Sequence, residues 1–346
     1  MQDIDPLDPG RHSKDDDQDK EWEAALAKGQ TKSSGLNHLA IKPRPKVIDC
    51  WAYQGDLGFI FAPRGLGKTW LGMLIAHGLA TGSDIGPWKV YHQHNVLYID
   101  GEMPPSDIQW RDKVLGVPTP NLTYINHEIL FERTGRIMNL ADYALQNAII
   151  SLCKEENFNV LLLDNLSTLV SGVDENKTID WEKILPWLLR LRRAHILVVF
   201  IHHAGRSGQM RGSSKREDPS AWIISLHEPR NDPEEETHGA HFISTFTKNR
   251  NAPDKPKSLE WNFTPINGNE ILVRFEQSQP MDVFRELVSA GVNQCSEIAE
   301  EMDATTAFIS RLAKKAESAG WLEIKNRKYY LKNQPSAPPF PQSNDP

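Results

Sequence analysis

The chain has 346 residues, too many for one small core and few for three, which predicts one large domain and a small one. Its 39% hydrophobic and 25% charged content is ordinary for a globular protein. No apolar run reaches the roughly eighteen residues a membrane span needs, and three distant cysteines exclude a disulfide framework, so the expected compartment is the cytoplasm, with no membrane partner. The formal charge is −7, but residues 1–23 hold nine acids and three bases, so the remainder is nearly neutral and free to carry basic patches.

In chain order, residues 1–34 are polar and charged, with too little apolar material to offset the entropy of ordering, and are expected to be disordered. A Pro-rich stretch then leads into residues 35–277, where short apolar runs at 57–61, 96–100, 122–125, 160–164 and 196–201 alternate with helical patterns at 66–80, 141–154 and 179–193. Such runs, separated by helix-length segments, are what a parallel sheet buried on both faces requires. The fold class predicted is α/β with a mostly parallel central sheet. Four further strands at 222–226, 241–248, 259–263 and 271–275 lack intervening helices and read as antiparallel additions, with an acidic loop at 227–239. Residues 281–332 read as three helices and a hairpin, and 333–346, with five prolines in fourteen residues, as an unstructured tail.

Directly after the strand at 57–61 stands Ala62-Pro63-Arg64-Gly65-Leu66-Gly67-Lys68-Thr69, followed by a helix. A phosphate-binding loop needs inward backbone N–H groups, a lysine that reaches the β and γ phosphates, and a hydroxyl for magnesium. Gly65, Leu66, Gly67, Lys68, Thr69 and Trp70 are therefore the expected contacts to ATP, with Ala62 where the pattern has its first glycine. Asp164 ends an apolar strand at the ligand edge of such a sheet, where with Thr69 it can hold Mg2+. Glu102, just beyond the strand at 96–100, suits the group that polarises the attacking water, and Asp100 competes for that role.

Taken together, A-P-R-G-L-G-K-T, Y-I-D-G-E-M-P, L-L-L-D-N, the strand ending I-H-H with its Gly-rich loop, and T-K-N-R resemble RecA-type ATPases of the RepA hexameric helicase group from plasmids and phages. The resemblance covers about residues 57–250. It implies a RecA-like core and a homo-oligomeric, hexameric ring with ATP at each interface and single-stranded DNA in the channel. By motif it implies Lys68 and Thr69 as phosphate and magnesium contacts, Glu102 as the catalytic acid and Asp164 as the metal-side acid.

His202 and His203 end the strand at 196–201; a polar side chain there, assigned to His202, can sense the γ-phosphate, and a capping pair is the alternative. The loop that follows carries Arg206, Arg211, Lys215 and Arg216 with no acid, which fits a phosphate chain. Lys248 and Arg250 form a K-x-R pair at a strand end. In the resembling helicases such a pair reaches the neighbour's nucleotide site; the alternative is a solvated basic turn.

The spacing within 281–332 resembles a winged helix-turn-helix domain, with Arg311, Lys314, Lys315, Lys325 and Arg327 as candidate contacts to duplex DNA and protein docking as the other use of such modules. The function expected is an ATP-driven DNA helicase or translocase in replication of a mobile element, with priming supplied by a partner primase or initiator. The alternatives are a RecA-type recombinase and an ATP-switched regulator or helicase loader.

Overall fold

The computed structural model describes residues 9–170, 178–203, 219–229, 239–252, 256–266, 270–277, 280–302 and 304–332. The chain divides into two units, at Arg44 and Pro45. The first holds α1 (Pro9–Gly29) and α2 (Ser33–Leu36), so within the segment expected to be disordered residues 9–29 are helical. The run Glu21 to Lys28 explains this, because Ala, Leu, Glu and Lys all favour helix locally. Among its described side chains the large apolar ones, Trp22 and Leu26, are both 68% exposed. Residues 333–346 lie outside the described part.

The second unit opens with a two-stranded ribbon, β1 (Lys46–Ile48) and β2 (Ala52–Tyr53), then β3 (Leu57–Ala62) and α3 (Lys68–Thr81). There follow β4 (Val96–Asp100), α4 (Pro105–Leu115), β5 (Leu122–Asn126), α5 (His127–Thr134), α6 (Tyr143–Glu155) and β6 (Val160–Asp164). Next come α7 (Leu166–Leu169), α8 (Thr178–Arg193), β7 (Leu197–His203), β8 (Trp222–His227), β9 (Ala240–Asn249), β10 (Leu259–Ile266) and β11 (Glu270–Gln277). The last elements are α9 (Pro280–Ser289), α10 (Cys295–Glu301), α11 (Thr306–Ser318), β12 (Leu322–Lys325) and β13 (Lys328–Leu331).

Nine strands form one sheet in the order β11-β10-β9-β8-β3-β7-β6-β4-β5. From β8 to β5 every neighbouring pair is parallel, and β9, β10 and β11 add on antiparallel. The strand read as the first antiparallel addition is therefore corrected: β8 runs parallel to β3. Its run Trp222, Ile223, Ile224, Leu226 is buried on both faces, the mark of an interior parallel strand, and the residues between β7 and β8 are numerous enough for a crossover.

The strands' buried residues alternate between two cores. Ile60, Tyr98, Leu162 and Ile201 face α3 and the tryptophans Trp51, Trp88, Trp222 and Trp261. Phe59, Phe61, Leu163 and Phe200 face the side of Ile149 on α6 and Trp187 on α8. Close packing shows at Gly58, where an added Cβ would lie 2.0 Å from the Trp222 ring. The three C-terminal helices and the β12–β13 hairpin enclose a core of their own around Phe284, Ile298, Ile309 and Leu322.

Candidate nucleotide site

The carboxyl ends of β3, β4, β6 and β7 converge on a cavity of about 430 Å³ lined by Arg64, Gly65, Gly67, Lys68, Thr69, Trp70, Glu102, Met103, Pro104, Arg111, Asp164, His203 and Gly239. Gly65 and Gly67 adopt φ of +80° and +91°, values that β-carbon side chains avoid. At Gly67 a Cβ would also sit 2.6 Å from the Phe242 ring, so β9 packs directly under the loop. Gly67 caps α3, and the N-terminus of that helix opens into the cavity with its unpaired N–H groups and positive dipole end.

Lys68 is 6% exposed and donates to the carbonyls of Pro63 at 2.6 Å and Ala62 at 3.2 Å. Desolvation brings its ammonium down to about 8, although Asp164 and Glu102 oppose the shift. The alanine in place of the first glycine thus leaves its carbonyl in the lysine cradle. A phosphate chain would replace two neutral acceptors with charged ones, so the pocket fits a polyanion.

Asp164 is almost fully buried and receives hydrogen bonds from Thr69 and from the Tyr98 hydroxyl, the latter at 2.8 Å. Burial raises its carboxyl, against the pull of those two bonds. A hydroxyl and a carboxylate side by side are hard oxygen donors, the chemistry Mg2+ prefers when phosphates and water complete its shell. Among the described residues no cluster of three acids, histidines or cysteines could hold a metal alone. The donor set therefore fits Mg2+ arriving with a nucleotide.

Asp100 and Glu102 divide the work at the end of β4. Asp100 is fully buried; its Oδ1 accepts from the backbone N–H of Met103 at 2.9 Å and of Glu102 at 3.3 Å, and from the Asn126 amide at 3.0 Å. Desolvation, with the charge of Asp164, pushes it up to about 7. It is the bracket of a turn and does not line the cavity, whereas Glu102 does. The Glu102 carboxyl is held below the ordinary range by its hydrogen bond with His203, a pull that outweighs desolvation with help from the charges of Lys68 and Arg64. It is consequently ionised across the neutral range.

The Asn165 amide donates to Glu102 and lies 3.0 Å from His203 Nε2, while its carbonyl caps α7 through Thr168 N. His203 Nε2 is 3.6 Å from Glu102. The residue that faces the cavity is thus His203 and not His202. The pleat decides it: His203 pairs with Ala62 and points to the α3 side with Ile201, while His202 pairs with Phe61 and points to the opposite core.

Three residues of the site carry no role that their sequence position assigns. Arg64 and Asn165 stand inside the phosphate-loop and L-L-L-D-N motifs. Arg111 projects from α4 with its guanidinium 4.7 Å above the Trp70 ring. Its signal was Pro104-Pro105, a helix start, with a cation two turns further along.

Other expected residues lie elsewhere. Lys248 pairs with Ile223 and Arg250 N with Ala221 O, level with the first residues of β3 and so at the sheet end away from the cavity. Arg311, Lys314 and Lys315 are exposed on α11, and Lys325 and Arg327 are exposed at the hairpin turn. Arg206, Arg211, Lys215 and Arg216 lie outside the described residues.

The family AAA_25, described as an AAA domain, matches residues 21–209, more than half of the chain. The chain belongs to this AAA-domain family. Its core is an α/β fold with a mostly parallel sheet and a phosphate-binding loop, and the family match ends just beyond His203. Among solved structures, the flagellar accessory protein FlaH from Methanocaldococcus jannaschii is 14% identical, with 64% of this chain and 90% of that one covered at a TM-score of 0.44. A KaiC-like protein, PH0186 from Pyrococcus horikoshii OT3, is 13% identical over 67% of this chain and 99% of its own, also at 0.44. No curated protein matches the chain. None of the described helices is long and apolar enough to cross a membrane.

Proposed function

We propose that this AAA-domain ATPase is a cytoplasmic DNA helicase or translocase serving replication of a plasmid, phage or other mobile element, and that it works as a homo-oligomeric ring hydrolysing ATP between subunits. In each pocket Lys68, Arg64 and Arg111 bind the phosphates. Thr69 and Asp164 hold Mg2+, whose chemistry is to neutralise charge on the phosphate oxygens. Glu102, ionised and aimed by the Asp100 bracket, orients and deprotonates the attacking water. Asn165 and His203 join Glu102 to the end of β7, so the presence of the γ-phosphate is felt by the strand that leads to the basic loop of Arg206, Arg211, Lys215 and Arg216. That loop grips the single strand, and the C-terminal module, as a winged helix, offers Arg311, Lys314, Lys315, Lys325 and Arg327 to duplex DNA.

The observation that carries this reading is the place of Arg250. It is exposed at the sheet end remote from its own chain's cavity, so it can serve as a catalytic cation only in the pocket of another subunit. Lys248, two residues before it, accompanies it there.

The test mixes two defective subunits. Arg250→Ala is expected to keep ATP binding and lose turnover by on the order of a thousandfold, the scale of an arginine finger. Lys68→Ala is expected to lose binding. Mixed assemblies, verified by light scattering, should regain ATPase activity that neither variant shows alone, and the native protein should unwind a forked duplex with ATP. No recovery would leave Arg250 a residue that only supports its strand end. DNA-stimulated hydrolysis without unwinding would favour a recombinase, and unchanged hydrolysis with ATP-gated DNA binding a regulator or loader.

A further inference from the structure

Arg111 is a long cation in a pocket that must keep it aimed. Its Nε is buried without a hydrogen-bond partner, and among the described residues no carboxylate forms an ion pair with it. An arginine side chain so placed has many rotamers to lose, so its direction must come from the helix that carries it and from the Trp70 ring beneath it. What holds that helix is the next residue.

Asp112 Oδ1 lies 2.8 Å from His77 Nε2 and accepts a hydrogen bond from the Tyr124 hydroxyl, also at 2.8 Å. His77 stands on α3, the helix that begins with Lys68, and is 5% exposed. Its other ring nitrogen, Nδ1, is buried with no partner among the described residues, so Asp112 is the polar group that satisfies this histidine. Tyr124 stands on β5, and its ring packs 5.5 Å from that of Tyr98, the residue that donates to Asp164. One carboxylate oxygen thereby ties α4 to the phosphate-loop helix on one side and to the sheet on the other. Burial alone would raise the Asp112 carboxyl, but the bonds from His77 and Tyr124 hold it below its ordinary value. The close approach of the two helices is also written at Gly116, where a Cβ would fall 3.2 Å from His77 Nδ1.

We propose that Asp112, clamped by His77 and Tyr124, is the positioning residue that locks α4 against α3 and so holds Arg111 on the phosphates of bound ATP. The proposal rests on the reading of this cavity as the ATP site. Asp112 itself does not line the cavity, so its effect on nucleotide must pass through Arg111.

A double-mutant cycle on the full chain, read as ATP affinity by calorimetry, tests this coupling. Arg111→Ala and Asp112→Ala are each expected to weaken ATP by about tenfold, and the double variant to be no weaker than Arg111→Ala alone. Asp112→Asn, which keeps an oxygen acceptor for His77 and Tyr124, should stay within about threefold of the native affinity. If Asp112→Ala fails to fold, Tyr124→Phe, which removes a single oxygen, replaces it in the cycle, with a smaller loss that again vanishes in the Arg111→Ala background. Equal losses in both backgrounds would overturn the proposal and leave Asp112 a support of the fold. Lys68→Ala separates the two levels: retained ATP affinity in that variant would sink the site assignment itself, whereas lost affinity with an additive cycle would sink only the clamp.

Discussion

The nucleotide edge of the sheet and the C-terminal module place their charges in opposite ways. At the edge, Lys68, Asp100, Asp164 and His203 are all buried, and each is bonded to or charged against another. In the module the buried core is apolar, and Arg311, Lys314, Lys315, Lys325 and Arg327 stand in water. Buried charges cost folding energy but act through a low dielectric at fixed distances, which is what transition-state stabilisation demands. Exposed charges cost little and are screened, which suits a soft, salt-sensitive grip on a polyanion. Among the described residues of the module the exception is Glu286, buried on α9, whose carboxyl is pushed up to about 8 by desolvation and by the charges of Asp282 and Glu260.

The contrast is broken most severely at Glu102. Glu102→Gln keeps the hydrogen-bonding shape but cannot take a proton, so turnover in a single-turnover assay should fall by about 10²–10⁴ while ATP still binds. Persistence of hydrolysis would shift the role to another acid.

A second large effect concerns pH. In the free protein Lys68 loses its proton as pH rises through about 8, and the neutral amine no longer attracts phosphate. The profile of kcat/KM should therefore drop by about tenfold per pH unit above that point. The limb in kcat should lie higher, because bound phosphates favour the ammonium. Coincident limbs would separate Lys68 from the alkaline loss.

Glu286 supplies a smaller test within the module. Its folded-state carboxyl is raised above the unfolded value, so the folded chain holds the extra proton between about 4.5 and 8 and stability declines as pH rises through that window. Glu286→Gln should remove the decline and raise stability at pH 8 by about 1–3 kcal/mol in urea titrations. An unchanged pH slope would mean that Glu286 is solvated in the folded chain.

The smallest change is expected at the exposed face. Lys314→Ala should leave ATPase activity and stability within error and weaken duplex DNA modestly at every sequence, lowering the salt slope of binding by about one. An unaltered slope would assign the face to a protein partner.

The amino-acid sequence alone determined the α/β class, the alternation of strands and helices, and the loop, strand-end acids and lysine of the site. Those features are local: a phosphate loop is a run of adjacent residues, and a strand buried on both faces writes its burial in consecutive apolar positions. Direction and facing were decided only in three dimensions. Whether β8 ran parallel depended on its neighbour β3, and whether His202 or His203 met the cavity depended on which face of β7 lay over α3. Arg111 and Asn165 became site residues because β4, α4 and β6 bring them beside Trp70 and Glu102, across separations along the chain that no spacing rule encodes. The α1 helix is the converse case, where helix propensity acted without a core and composition alone suggested disorder.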